Sequence, residues 1–201
     1  MRLYDISQEV FSSAVYPGDP APERRMLSST AEGGLYNLTE FSMCAHNGTH
    51  IDAPFHFLGD GATVEQIPLT KTVGPAVVVD CRGDLDANGA EELLLRARAL
   101  SAEGAKRILL KGGGTVLPSA AAVFAEAAVE LIGSETQSVG DENAPMAVHL
   151  CLLRAETVLL EGIRLAGVPC GAYFLFAAPL LLSGSDGAPC RAILLDATPD
   201  C

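Results

Sequence analysis

The chain has 201 residues, 49% of them hydrophobic and 19% charged, with a formal net charge of −12. Such a length and composition support one folded domain over residues 1–201 and argue against a disordered chain, which would lack the apolar surface to offset its entropy. The acidic balance, with no cluster of Lys or Arg, counts against nucleic acid and against anionic membranes as partners, and it excludes partners better than it names them.

Residues 1–10, MRLYDISQEV, lack the apolar stretch of a secretory signal, so a cytoplasmic protein is expected. The first strand is expected at 3–6. Residues 12–35 are rich in Pro, Gly and Ser and read as one long loop, a length often reserved for lids and binding segments. Further strands are expected at 37–43, 76–80, 107–110, 157–160, 172–176 and 192–195, where short apolar, β-branched runs recur. Helices are expected between them. The segment 90–104 repeats leucine at helical spacing and ends on glycine, 117–130 is alanine-rich, and Pro145 can open a helix through MAVHLCLLRAE. The glycine run KGGG at 111–114 lacks the Lys-Ser/Thr of a phosphate-binding loop and reads as a turn. The run YFLFAAPLLL at 173–182 falls well short of the roughly 20 residues needed to cross a bilayer. Cysteines 44, 81, 151, 170, 190 and 201 are scattered without CxxC spacing and read as reduced thiols. Alternation of strands and helices along the chain points to an α/β domain.

The stretch HNGTHIDAPFH, residues 46–56, holds three of the four histidines. If residues 46–52 form a strand, His46, Gly48, His50 and Asp52 share one face, because side chains alternate with period two. A helix would swing Asp52 and His56 away from the other two, and Gly48 and Pro54 disfavour one. The extended reading gathers two imidazoles and a carboxylate on one surface, with no side chain at Gly48 to obstruct what they hold. Pro54 then ends the strand and delivers His56 from a loop. Neutral imidazole and carboxylate are the ligand set of zinc and related divalent metals. A lone strand histidine is more often a structural residue; three imidazoles crowded beside an aspartate without a cation would each need a partner, at about 1–3 kcal/mol for every one unsatisfied. His149, inside an apolar helix, reads by itself as a core residue, and Glu161, at the carboxyl end of a strand, as a solvated loop residue in a place where α/β proteins bind ligands.

Taken together, these residues resemble the metal-dependent cyclase and kynurenine formamidase (arylformamidase) hydrolases. Their motif HxGTHxDxPxH stands complete here as His46, Gly48, Thr49, His50, Asp52, Pro54 and His56. The likeness extends to YDIS, YPGDP at 16–20, LIGSETQSV at 131–139, His149 with Glu161, and APLLLSGSDGAPCRAILL at 178–195. The resemblance implies a swivelling β/β/α-type α/β domain with a mixed central sheet flanked by helices. It implies one or two zinc ions, with manganese as the alternative, held by His46, His50, Asp52, His149 and Glu161, and it makes His56 the proton-handling catalytic residue. It also implies a homodimer or homotetramer in which part of 12–35 closes a neighbouring pocket. The expected reaction is cleavage of an amide C–N bond, such as that of N-formylkynurenine, by metal-activated water. A cyclic lactam like isatin is the competing substrate, and a metal-binding relative without turnover is the non-enzymatic alternative. Tyr16 stands where formamidases tend to carry Trp, and GSET at 133–136 replaces their usual GIDT. Tyr16 and Phe55 are the candidate substrate contacts, while Phe57 and Cys44 read at least as well as packing residues.

Overall fold

The computed structural model describes residues 1–196, so Cys201 lies outside the described residues. In chain order the strands are β1 (Arg2–Asp5), β2 (Glu23–Ser28), β3 (Leu38–Ser42), β4 (His50–Asp52), β5 (Val73–Asp80), β6 (Asp84–Leu85), β7 (Arg107–Lys111), β8 (Thr115–Val116), β9 (Leu131–Ser134), β10 (Val158–Glu161), β11 (Gly171–Phe176), β12 (Gly187–Pro189) and β13 (Ile193–Asp196). The α-helices are α1 (Leu69–Thr72), α2 (Ala87–Leu100), α3 (Pro118–Glu126) and α4 (Met146–Arg154). Nine strands form one sheet in the order β1-β13-β11-β5-β7-β9-β10-β4-β12. Its centre, β5-β7-β9-β10, is parallel and both flanks are antiparallel. This is the α/β architecture that the alternating sequence implies, and the mixed sheet with flanking helices that the family resemblance implies.

The parallel strands are apolar on both faces, as crossover connections require. On one face Val77, Val79, Ile108, Leu110, Ile132 and Leu159 pack against Leu93 and Ala97 of α2, Phe124 of α3 and Leu152 of α4. The opposite face buries Val78, Leu109, Leu131, Leu160, Leu175 and Leu194 together with Ile51 of β4. Helix α2 buries Ala90, Leu93, Leu94 and Ala97, spaced three and four apart, and Asp86 caps it by accepting the Gly89 N–H at 2.9 Å.

Several boundaries differ from the sequence reading. Helix α2 stops at Leu100 rather than Gly104, because Ser101 turns extended and its Oγ takes the Gly104 N–H. Helix α3 ends at Glu126 because Ala128 adopts a left-handed φ of 52° and the Val129 N–H returns to the Phe124 carbonyl. Glu156, with φ 59°, closes α4 in the same way. Pro145 sits one residue before α4 rather than at its first turn. The segment 12–35 is not a continuous loop: it contains β2, which pairs with β3 in a separate two-stranded ribbon. Both ribbon strands are exposed almost throughout, so no buried alternation marks β2 in the sequence. Strands β9 and β12 were absent from the sequence reading; β9 has glycine at its third position, where Leu109 packs so closely that a Cβ would lie 2.4 Å from it. No helix is long and apolar enough to cross a membrane among the described residues.

Candidate metal centre

The motif is extended only in part. Strand β4 spans His50–Asp52, whereas His46 lies in a turn and Gly48 takes a φ of 70°, which corrects the reading of 46–52 as a single strand. Gly48 is therefore required for backbone reversal, not to keep a strand face clear. Parity still holds within β4: Ile51 enters the core while His50 and Asp52 face the other way, both essentially inaccessible to solvent. Register supplies the next ligand. Glu161, last residue of β10, stands directly opposite His50, and Leu159 opposite Asp52. Glu161 shares the face of Leu159, which is the face α4 covers, and α4 brings His149 down onto it. His149 and Glu161 are each 3% exposed, so His149 is as buried as the sequence in isolation suggests, whereas Glu161 is not the solvated loop residue it resembles.

The backbone fixes how these imidazoles point. His50 Nδ1 donates to the Gly48 carbonyl at 3.1 Å, and His149 Nδ1 donates to the Pro145 carbonyl at 2.9 Å. Each Nε2 is left facing carboxylates. His50 Nε2 lies 3.3 Å from Asp52 Oδ1 and 3.5 Å from Glu161 Oε2; His149 Nε2 lies 3.4 Å from Glu161 Oε1 and 3.6 Å from Asp52 Oδ2. Glu161 is held from behind by the Val139 N–H at 2.7 Å. His50 Nε2 and Asp52 Oδ2 are buried without a hydrogen-bond partner in the protein. Neutral imidazoles would thus aim lone pairs at carboxylate oxygens in a dry site, an arrangement that calls for positive charge between them. Protons can supply it. Burial opposes the charged form of both His50 and His149, yet their contacts with Asp52 and Glu161 win and push each pKa up to about 10.

A divalent cation satisfies the same demand with the same donors. His46, His50 and Asp52 form one group able to hold a metal, Asp52, His149 and Glu161 a second, and within each group the ligand atoms lie within 4.8 Å of one another. Imidazole nitrogens with carboxylate oxygens suit zinc and its first-row neighbours, and three protein ligands leave a position for water. Asp52 is common to both groups.

His56 arrives on a short 3-10 turn, Pro54–His56, and stacks on His46 with ring centroids 4.1 Å apart. Burial, the dominant influence, depresses its pKa below 6.5. Asp186, which the sequence reading did not single out, accepts from His46 Nε2 at 2.8 Å and from His56 Nδ1 at 3.2 Å. It lies just before β12, in the SGSDGAP stretch, and only the pairing of β12 with β4 reveals its neighbours. A cavity of about 380 Å³ opens over these side chains, with Tyr16, Cys44 and Phe57 in its wall. Phe57, not Phe55, is the phenylalanine that lines it, lying 4.7 Å from the His149 ring. Phe55 is 38% exposed and takes no part in the wall, because the 3-10 turn rotates it away. The Tyr16 hydroxyl donates to the Glu142 carbonyl, tying the proline-rich segment to the cavity's edge. A cleft of about 440 Å³ around Lys71, Arg154 and Glu156 contains no such cluster.

The profile of the family described as "Putative cyclase" matches residues 4–141. The kynurenine formamidase of Salinibacter ruber (strain DSM 13855 / M31) is 34% identical over 216 residues, covering 100% of both chains. That of Bacillus anthracis is 34% identical over 207 residues, covering 96% of this chain and 97% of its own. Among solved structures, a potential metal-dependent hydrolase with cyclase activity superposes with a TM-score of 0.81 at 29% identity, over 98% of this chain and 99% of that one. An isatin hydrolase bound to the product analogue thioisatinate shares the fold, with a TM-score of 0.84 at 18% identity over 98% and 92% of the two chains.

Proposed function

The chain belongs to the cyclase family of hydrolases, which includes kynurenine formamidases, and from that premise we propose that it cleaves the C–N bond of an N-formyl aryl amine. N-formylkynurenine is the foremost candidate, giving formate and the free amine. The observation that carries this reading is the convergence of His50 Nε2 and His149 Nε2 on four carboxylate oxygens, in a dry pocket next to a histidine of depressed pKa.

In this reading His46, His50 and Asp52 hold one divalent cation, and Asp52, His149 and Glu161 a second, with zinc the first candidate and manganese the alternative. Bound there, such a cation would supply a water of pKa lowered to roughly 7 and a Lewis acid for a carbonyl. His56 is neutral at neutral pH, so it takes the proton lost by the attacking water and passes it to the departing amine. The rings of Phe57 and Tyr16 flank the cavity and offer an aromatic substrate apolar surface while excluding bulk water. We place this chemistry in a homodimer or homotetramer. Leu35, Tyr36 and Phe41 on and beside the β2-β3 ribbon are 96%, 60% and 56% exposed, and a second copy would cover them.

The deciding experiment is metal analysis of protein purified without added metal, followed by hydrolysis assays with N-formylkynurenine and with isatin. One or two zinc or manganese ions per chain, and formate released from the first substrate, are expected. His50→Ala should lose both metal and activity; full activity in that variant would refute the mechanism. Faster turnover of isatin would instead assign the site to lactams.

A further inference from the structure

We propose that Asp186 is the positioning residue of this site, a single carboxylate that sets the tautomers of both His46 and His56. The inference rests on the reading of His56 as the proton-transfer group. An ionised carboxylate only accepts hydrogen bonds, so each imidazole nitrogen facing it must carry hydrogen. His56 Nδ1, 3.2 Å from Asp186 Oδ2, is then the protonated nitrogen of the neutral ring. Its Nε2 keeps the lone pair and makes no hydrogen bond to the protein among the described residues, which leaves it free to take a proton from a molecule in the cavity.

The same oxygen receives His46 Nε2–H at 2.8 Å, so the nitrogen from which a bound cation would displace a proton is Nδ1. That nitrogen faces Asp52 Oδ1 at 2.9 Å, so two electron pairs oppose each other where a cation or a proton has to sit. Asp186 therefore orients a ligand toward the charge and a base toward the substrate, and the 4.1 Å stacking of the two rings keeps both in reach of one oxygen. A carboxylate behind a metal-directed or proton-transferring imidazole is a common orienting device.

The fold holds Asp186 in place from several sides. Its carbonyl accepts the Ala53 N–H at 2.9 Å, and the Ser185 carbonyl accepts the Val64 N–H at 2.9 Å, so its backbone is pinned to the segment that carries Asp52 and His56. The next residue, Gly187, has no side chain; a Cβ there would lie 2.8 Å from His46 Cε1. The sequence Asp186-Gly187 thus supplies the acceptor and the space that the His46 ring requires.

The test begins on the unaltered, metal-free chain. Long-range proton–nitrogen NMR of the four histidines should show His56 as the Nδ1–H tautomer; finding hydrogen on Nε2 instead overturns the inference without any variant. In Asp186→Asn at saturating zinc, kcat for N-formylkynurenine should fall about 10²- to 10⁴-fold, the range of a disabled acid–base group, while KM stays within about threefold and metal affinity weakens about 10- to 100-fold. Asp186→Glu should recover part of that loss. A kcat within about threefold of wild type at full metal occupancy would overturn the positioning role. His56→Ala separates the two readings: full activity there removes the proton-transfer assignment itself, whereas an inactive His56→Ala beside a fully active Asp186→Asn removes only the role of Asp186.

Discussion

Cation loading should stabilise the fold, and the structure sets the scale. His50 Nε2 and Asp52 Oδ2 are buried without partners in the protein. Each such atom costs about 1–3 kcal/mol, so satisfying both is worth about 2–6 kcal/mol. Mass action gives a compatible figure: a cation at one hundred times its Kd adds about 2.7 kcal/mol. In a domain of this size 1 kcal/mol moves Tm by about 2–4 °C, so that loading should raise Tm by about 5–11 °C. The assay is calorimetry at fixed protein concentration, first with a chelator and then with zinc or manganese. Calcium and magnesium, which prefer oxygen-rich shells, should give little shift. Glu161→Gln keeps the shape and can still accept the Val139 N–H, but it removes one charge and should lose most of the gain. A wild-type Tm that stays within about 1 °C from chelator to excess zinc and manganese would refute the argument, since the buried donors would then need no cation.

The remaining predictions concern protons and backbone space. Because the folded-state pKa values of His50 and His149 stand near 10 against an ordinary 6.5, their stabilisation of the metal-free chain is complete below pH 6.5 and is lost as pH rises through 10. Thermal scans in chelator should show Tm falling over that window, and titration calorimetry in buffers of different ionisation enthalpy should show protons released on zinc binding at pH 7, up to one from each of the two rings. Ala128→Gly should relieve a left-handed backbone at φ 52° and raise stability by about 0.5–1 kcal/mol, read as a shift in the urea midpoint. Gly187→Ala should do the reverse: its Cβ would lie 2.7 Å from the Ile51 carbonyl oxygen and 2.8 Å from His46 Cε1, costing about 1–3 kcal/mol and weakening metal retention in dialysis.

How far the sequence anticipates this molecule depends on what each signal measures. The apolar runs at 76–80 and 107–110 mark strands β5 and β7 because both faces of a parallel strand are buried. Strand β2 escapes notice because neither of its faces is. The convergence at positions 46–56 is readable because six residues of local chain bring His46 Nδ1 within 2.9 Å of Asp52. Parity alone misplaces His46, since the turn at Gly48 performs what an uninterrupted strand was expected to do. The partnership of His149 and Glu161 with that motif comes from likeness to a family, because the register that sets Glu161 opposite His50 is a long-range fact that no local pattern encodes. Asp186 is harder still: it precedes a three-residue strand and is an ordinary loop aspartate until β12 pairs with β4. Phe55 and Phe57 share parity, so only the 3-10 turn decides which of them meets the cavity.

The order of strands in the sheet also governs how the polypeptide can come together as it leaves the ribosome. Among the described residues strand β1 pairs only with β13, and β4 lies between β10 and β12. A nascent chain of some 150 residues therefore has two early segments whose edges cannot yet be paired, including the one bearing most of the histidines. Completion must await β12 and β13, which makes folding slow and dependent on contacts remote in sequence. Until those strands dock, the unpaired edges can stick to other chains.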